Sequence, residues 1–262
     1  MAALNLSHAS LPAAQWTGVI TGGFSTPGQR GRQNRRRGLI LDLDDTLYPR
    51  ERYIRSGFAA VAKYLERRWG VPAGGAFTAL SRAFSSGLAG REFQAMCQKY
   101  ELPREEVTCM LSVFRAHKPN LWLPYETGQA LQRLRADGWR LAILTNGLPS
   151  VQAAKIDALA LQTMVDHVIY AEAVTKKGKP DPAAFLAALN RLDLTADRCV
   201  AVGDDPVRDI KGARAMNLRT IRMARPEFRV TDGDEADVVI ASIEHLPRAA
   251  SGVLEMVTLD AA

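Results

Sequence analysis

One stretch limits what this chain can fold into more than any other. Gly38-Leu39-Ile40-Leu41 is a short apolar run, and Asp42-Leu43-Asp44-Asp45-Thr46-Leu47 follows it directly. The apolar part reads as a buried strand. Three carboxylates cannot continue such a strand, because burying an unpaired charge is costly. Asp42 to Asp45 are therefore placed at the strand's C-terminal edge, where the chain turns out of a sheet. In an open α/β sheet that edge is where ligands bind. Asp42 and Asp44 are two positions apart, which puts them on one face if the extended geometry persists. Like charges that close raise one pKa or attract a cation. On these residues alone, a metal beside a nucleophilic carboxylate and a solvated acidic turn both stand open.

The other readings of composition exclude more than they select. The chain has 262 residues, enough for a core domain plus a smaller module. No stretch approaches the roughly 20 apolar residues of a membrane span. Cys97, Cys109 and Cys199 form no C-x-x-C pair, which speaks against a disulfide framework or zinc site and fits a reducing compartment. His8, His117, His167 and His245 are scattered without ligand spacing. The net charge is +6, and Arg30, Arg32, Arg35, Arg36 and Arg37 supply five of those charges. From Gly38 onward the balance is 6 − 5 = +1. The basicity is thus local, and nucleic acid is an improbable partner for the globular part.

In chain order, residues 1–37 carry no acid, sustain no apolar periodicity and end in the arginine run. They are expected to be disordered. Three readings compete for them. One is a leader without function, from a start codon placed too early; the second is a transit peptide; the third is a phosphate-seeking arm. The first is preferred, which gives a cytoplasmic protein, with an organellar one as the alternative. Residues 48–124 read as helices. Tyr53, Phe58, Val61, Ala62, Leu65 and Trp69 lie at helical spacing before Gly70, and helical patterns recur to Phe114. From Tyr125 the pattern becomes helix–strand alternation, with strands expected at Trp139–Leu144, Val165–Tyr170, Arg198–Val202, Leu218–Arg222 and Val238–Ile240. A last helix is expected over His245–Val257. Asp181-Pro182 and Asp205-Pro206 have the N-cap–proline form of helix starts.

Three further stretches fall at strand ends. Thr145-Asn146-Gly147 offers a hydroxyl and backbone N–H groups ahead of a helix, the makings of an anion site. Lys179-Pro180-Asp181-Pro182 places a lysine just before a helix, where it can neutralise a phosphoryl group. Gly203-Asp204-Asp205, with Asp209 beyond it, puts a carboxylate at the end of another strand. Taken singly, each also reads as an ordinary turn, basic loop or cap.

Taken together and in this order, the four stretches resemble the signatures of the haloacid dehalogenase superfamily. The resemblance implies a doubly wound parallel α/β core, 38–47 and 125–262, with an inserted helical cap, 48–124. It implies that Asp42 attacks phosphorus and that Asp44 serves as acid and then base, with Thr46 in support. Thr145, Asn146 and Lys179 would bind the phosphoryl group. Mg²⁺ would sit on Asp42, the backbone carbonyl of Asp44, and Asp204. Asp209 would hold Lys179 or reach the metal through water. The function implied is a magnesium-dependent hydrolase of a small phosphomonoester. Dehalogenase members lack the second acid, so Asp44 favours phosphate chemistry over haloacid chemistry. Leu47-Tyr48-Pro49 resembles pyrimidine nucleotidase-like members, so a nucleoside monophosphate is one candidate substrate beside sugar phosphates. Arg50, Arg52 and Arg55 are candidates for substrate choice. A reading from another class is a catalytically idle phosphate-binding scaffold with a nucleic-acid-binding arm, and the intact Asp42–Asp44 pair argues against it.

Overall fold

The computed structural model describes residues 36–224 and 236–260. The expectation of disorder for residues 1–37 therefore falls, up to Arg35, outside the described residues. Arg37 opens the first strand instead of closing a tail: its guanidinium lies 4.5 Å from the Trp139 ring centroid.

Six strands form one parallel sheet: β1 (Arg37–Leu41), β2 (Trp139–Thr145), β3 (His167–Tyr170), β4 (Cys199–Gly203), β5 (Arg219–Met223) and β6 (Val238–Ile240). Their order is β3-β2-β1-β4-β5-β6. The strand sequence runs outward in one direction from β1 and then in the other from β4. The C-terminal ends of β1 and β4 thus flank the crevice where an open sheet reverses direction. Asp42 N–H donates to Val202 O at 2.8 Å, carrying the β1–β4 ladder one residue past the strand.

Alternation along the strands divides the apolar residues between two faces. Leu39, Leu41, Leu141, Ile143, Val200, Val202 and Ile221 pack with α5 (Tyr125–Ala136), α6 (Pro149–Ala158) and α8 (Leu246–Asp260). Ile40, Ala142, Leu144, Cys199 and Ala201 pack on the other face with Phe185, Ala188 and Leu192 of α7 (Pro182–Leu192). Both faces are covered, as a parallel sheet requires. The expected strand ends shift by one or two residues, the usual scale of such differences.

Between β1 and α5 lies a separate helical body: α1 (Arg50–Trp69), α2 (Ala73–Ser85), α3 (Glu92–Lys99) and α4 (Glu106–Ala116). Buried residues of α1 recur at Ile54, Phe58, Val61, Ala62 and Leu65, the stripe the sequence periodicity predicts. They close on Leu80, Met96 and Met110 to form an apolar cluster distinct from both faces of the sheet. Gly70 ends α1 in the left-handed region, φ 67°, and its N–H returns to Glu66 O. Glycine occupies that conformation without steric cost. Among the described residues no helix is long and apolar enough to cross a membrane.

Candidate active site

The two carboxylates of the first signature point into one cavity of about 990 Å³ but have different surroundings. Asp42 faces the crevice between β1 and β4. Its Oδ1 accepts from Lys179 Nζ at 2.6 Å, and its Oδ2 accepts from Thr46 Oγ1 at 3.0 Å. Lys179 Nζ also donates to Asp209 Oδ1 at 2.7 Å. The ligand oxygens of Asp42, Asp204 and Asp209 lie within 4.8 Å of one another. One lysine thus stands among three clustered carboxylates. Burial is the largest influence on Asp42; Lys179 opposes it, while Asp209 and Asp44 add to it, and the carboxyl is pushed up to about 7. Burial would lower the Lys179 pKa, but Asp209 and Asp42 outweigh it and hold the ammonium charged. A cluster with more negative than positive charge, built only from hard oxygen donors, suits Mg²⁺.

Local backbone explains how Asp204 and Asp209 converge. Asp205 caps the turn after β4, accepting from Val207 N at 2.9 Å and Arg208 N at 2.8 Å, as the N-cap–proline signature predicts. The turn Pro206–Lys211 is π-helical, with Ile210 N reaching back to Asp205 O. This widened turn brings Asp209 against Gly203, whose added Cβ would collide with the Asp209 carboxyl group. Only glycine leaves room for that approach. Among the described residues, π-helical geometry occurs here alone, and such turns tend to mark functional sites.

Asp44 has other partners, two on α6 and one in the turn after β1. Its carboxylate accepts from Lys155 Nζ at 2.8 and 2.6 Å, from Tyr48 Oη at 2.6 Å and from Gln152 Nε2 at 3.1 Å. Burial would raise its pKa, but Lys155 first, then Tyr48 and Gln152, hold it below the usual carboxylate range. Lys155 is itself lowered by burial and by Arg50, against the pull of Asp44. Burial together with the Asp44 charge pushes the Tyr48 phenol up, so it remains a donor.

Thr145 is buried at the end of β2, and its hydroxyl accepts from Gln152 Nε2. Asn146 is occupied otherwise than the sequence suggests. Its Nδ2 donates to Lys179 O at 2.9 Å, while its Oδ1 accepts from Lys179 N at 2.8 Å. The side chain clasps the lysine loop, with one of its two amide hydrogens engaged. Gly178, at φ 61°, lies close enough to that clasp for an added Cβ to stand 2.7 Å from Asn146 Oδ1.

Of the three cap arginines, Arg50 lines the cavity. Arg52 lies over the Trp122 ring at 4.4 Å, and Arg55 pairs with Glu51 at 3.5 Å; neither lines the cavity. Tyr48 does not belong to a specificity segment: it is 1% exposed and serves Asp44. Lys155 and Gln152 escaped the sequence reading, and Tyr48 entered it through the resemblance to nucleotidase-like members, not as a partner of Asp44. A signal was available, since Gln152 and Lys155 sit three apart on the helix after Thr145-Asn146-Gly147, and that spacing gives them one face.

Comparison with known proteins places this arrangement. The family profile described as haloacid dehalogenase-like hydrolase matches residues 37–217. The glyceraldehyde 3-phosphate phosphatase of Methanocaldococcus jannaschii is 28% identical over 219 residues, 80% of this chain and 95% of that protein. The ribulose-1,5-bisphosphate 5-phosphatase of Halopiger xanaduensis is 37% identical over 106 residues, 40% of this chain and 44% of that protein. Among solved structures, the hydrolase YfnB from Bacillus subtilis, bound to magnesium, superposes with a TM-score of 0.63 at 20% identity, covering 82% of this chain and 99% of that one. The 2-haloacid dehalogenase from Pseudomonas syringae pv. Tomato gives 0.57 at 26% identity, with 82% and 98% covered. A family match across four of the six strands and the helical insert, on a fold with its acids at the β1–β4 crevice, means that the chain is an enzyme and belongs to the haloacid dehalogenase-like hydrolases.

Proposed function

We propose that this hydrolase cleaves a small phosphomonoester with Mg²⁺ and passes through a phosphorylated Asp42. The observation that carries the reading is the unlike treatment of two neighbouring carboxylates. Asp42 sits with Lys179 at an oxygen-rich cluster, whereas Asp44 is held by donors on the other side. Two neighbouring carboxylates held by different groups suit two different roles.

In this reading an Asp42 carboxylate oxygen bonds to phosphorus as the bond from phosphorus to the leaving oxygen breaks. Lys179 lies 2.6 Å from Asp42 and offsets the charge of two anions meeting. Thr46 and Asp209 fix the orientation of Asp42 and Lys179. The leaving oxygen takes a proton from Asp44. Water then attacks phosphorus, returns a proton to Asp44, and releases inorganic phosphate with Asp42 restored. Without substrate Asp44 is held in the base form. It therefore takes up a proton from solvent as substrate binds, gives that proton to the leaving oxygen in the first step and regains one from the attacking water in the second. The first step is favoured when the incoming substrate draws Lys155 toward its own charge. Asp42, Asp204 and Asp209 would hold Mg²⁺, which supplies charge stabilisation on the phosphoryl oxygens.

The second acid, Asp44, supports phosphate over haloacid chemistry, despite the likeness to a 2-haloacid dehalogenase. The relatives reported above are named for triose and ribulose phosphates, which supports sugar phosphates over the nucleoside monophosphates suggested by Leu47-Tyr48-Pro49. The test is turnover of p-nitrophenyl phosphate, with Mg²⁺ and with a chelator, followed by a panel of phosphometabolites. Magnesium-dependent phosphate release is expected. Its absence across the panel, or full activity in the chelator, would defeat the reading.

A further inference from the structure

The cavity does not end at the phosphoryl site. Its far wall comes from the helical body, and Arg50 of α1 and Arg115 of α4 both line it. Neither guanidinium makes an ion pair among the described residues. Both oppose, without outweighing, the burial and the Asp44 charge that push the Tyr53 phenol up to about 12. Lys155 stands 4.4 Å from the Tyr53 ring centroid, and Arg50 acts on its charge as well. Three cations, Lys155, Arg50 and Arg115, thus line a cavity wall whose nearby carboxylates are Asp44, bound to Lys155, and Asp45, which accepts from the Arg50 backbone N–H. Both guanidinium groups are exposed to the cavity or solvent and have no ion-pair partner among the described residues. Tyr53 is fixed from behind by Phe114, edge to face at 5.5 Å.

Grouping like charges without partners is unfavourable unless something anionic joins them. A cleft lined by one sign of charge also concentrates ligands of the other sign. Arginine in particular suits carboxylate or phosphate, because its planar fork donates two parallel hydrogen bonds. The contrast with the adjacent arginines is instructive. Arg52 is stacked on Trp122 and Arg55 is paired with Glu51, so the cap satisfies those arginines that turn away from the cavity.

We infer that Arg50 and Arg115 form a second anion site, and that the preferred substrate is a phosphomonoester whose leaving group carries another anionic group, carboxylate or phosphate. The inference rests on the phosphomonoesterase reading and adds the class of leaving group to it. The phosphoryl group would meet Asp42 and Lys179, and the second anion would reach across the cavity to the cap. The Asp44–Lys155 pair lines the same cavity.

The test compares substrates that differ in the second charge alone. 2-Phosphoglycolate supplies a carboxylate, ethyl phosphate is its neutral counterpart, and phosphoethanolamine reverses the charge. Fructose 1,6-bisphosphate against fructose 6-phosphate supplies the second phosphate. The wild-type protein is expected to favour the anionic member of at least one pair by tenfold or more in kcat/KM. Which pair shows it distinguishes carboxylate from phosphate. Arg115→Ala and Arg50→Ala should each collapse that ratio by about tenfold or more, and Arg115→Lys should restore part of it. Arg52→Ala, away from the cavity, should leave the ratio as it was. A wild-type protein that hydrolyses p-nitrophenyl phosphate yet shows no anionic preference in either pair overturns the second site alone. So does a ratio that survives both alanine substitutions. Failure to hydrolyse any phosphomonoester overturns the hydrolase reading and this inference with it.

Discussion

Two buried lysines divide this cavity. Lys179 donates to Asp42 and Asp209, with Asp204 beside them, so its half carries more carboxylates than cations. Lys155 donates to Asp44, and Asp45, Arg50 and Arg115 line the same cavity, so its half holds three cations to two carboxylates. The same side-chain chemistry, a buried ammonium on a carboxylate at 2.6 Å, serves opposite ends. In the crevice half the lysine moderates an acidic cluster that calls for a further cation. In the cap half it is part of a basic cluster that calls for an anion. A substrate bridging the two would lie along the field.

The largest effect should come from the carboxylate that Lys179 holds in the crevice half. Asp42→Asn keeps the shape and removes the nucleophile, and turnover should fall on the order of 10⁴-fold or more while the fold is retained. Wild-type turnover by this variant would end the mechanism. The comparison itself breaks or holds on the two lysines. Removing either leaves buried carboxylate without its partner, a loss of roughly 3–5 kcal/mol. Lys179→Met should regain much of its thermal midpoint when Mg²⁺ is added, because the unpaired acids cluster at the metal position. Lys155→Met should not, because Asp44 offers that position only its backbone. Equal rescue of both variants would show that the halves are not distinct.

A smaller effect is expected at a site outside both halves. Asp237 accepts from Thr220 N and Thr220 Oγ1, each at 2.7 Å, and from Arg219 at 3.0 Å. Burial would raise its pKa, but those donors hold it below the usual range. A depressed carboxyl stabilises the fold above its unfolded pKa of about 3.9 and loses that contribution as pH falls through the folded value. Asp237→Asn should therefore cost about 1 kcal/mol at neutral pH and flatten the acid side of the stability profile. Urea midpoints from pH 3 to 7 decide this. The smallest effect is expected from deleting residues 1–35: kcat/KM on p-nitrophenyl phosphate should stay within about twofold, since that composition offers no face to pack. A tenfold loss would give the segment a role in the site.

The sheet was legible because its signal is local. Six short runs, most of them rich in aliphatic residues, give parallel strands with few alternatives once helices separate them, and three of them run into Asp42, Thr145 or Gly203. The acids at the ends of β1 and β4 were legible for the same reason, since a charge after a buried run must leave the sheet. Partnership was not. Nothing near Asn146 in sequence says that its amide will close on the backbone of Lys179, 33 residues away. Arg50, Arg52 and Arg55 look alike in sequence. Only the packed cap separates the one that faces the cavity from those that meet Trp122 and Glu51. Arg115 carried no signal at all, because its place depends on how α4 lies against α1.

The clasp between Asn146 and Lys179 also bears on how long the enzyme keeps its site. Asn146 precedes Gly147, and a glycine on that side leaves the following backbone nitrogen free to attack an asparagine amide. The outcome of that attack is aspartate or isoaspartate, and asparagine is among the heat-labile residues for this reason. Here both polar atoms of the amide are engaged by the Lys179 main chain, so the bonds that seat the lysine also shield the asparagine. Once opened, the change would not reverse. The new carboxylate would lack the hydrogen that Lys179 O accepts and would confront that oxygen with like charge. Ageing of the protein should therefore show as loss of activity in step with a one-dalton gain on the peptide containing Asn146, slow in the folded enzyme and fast in the unfolded chain.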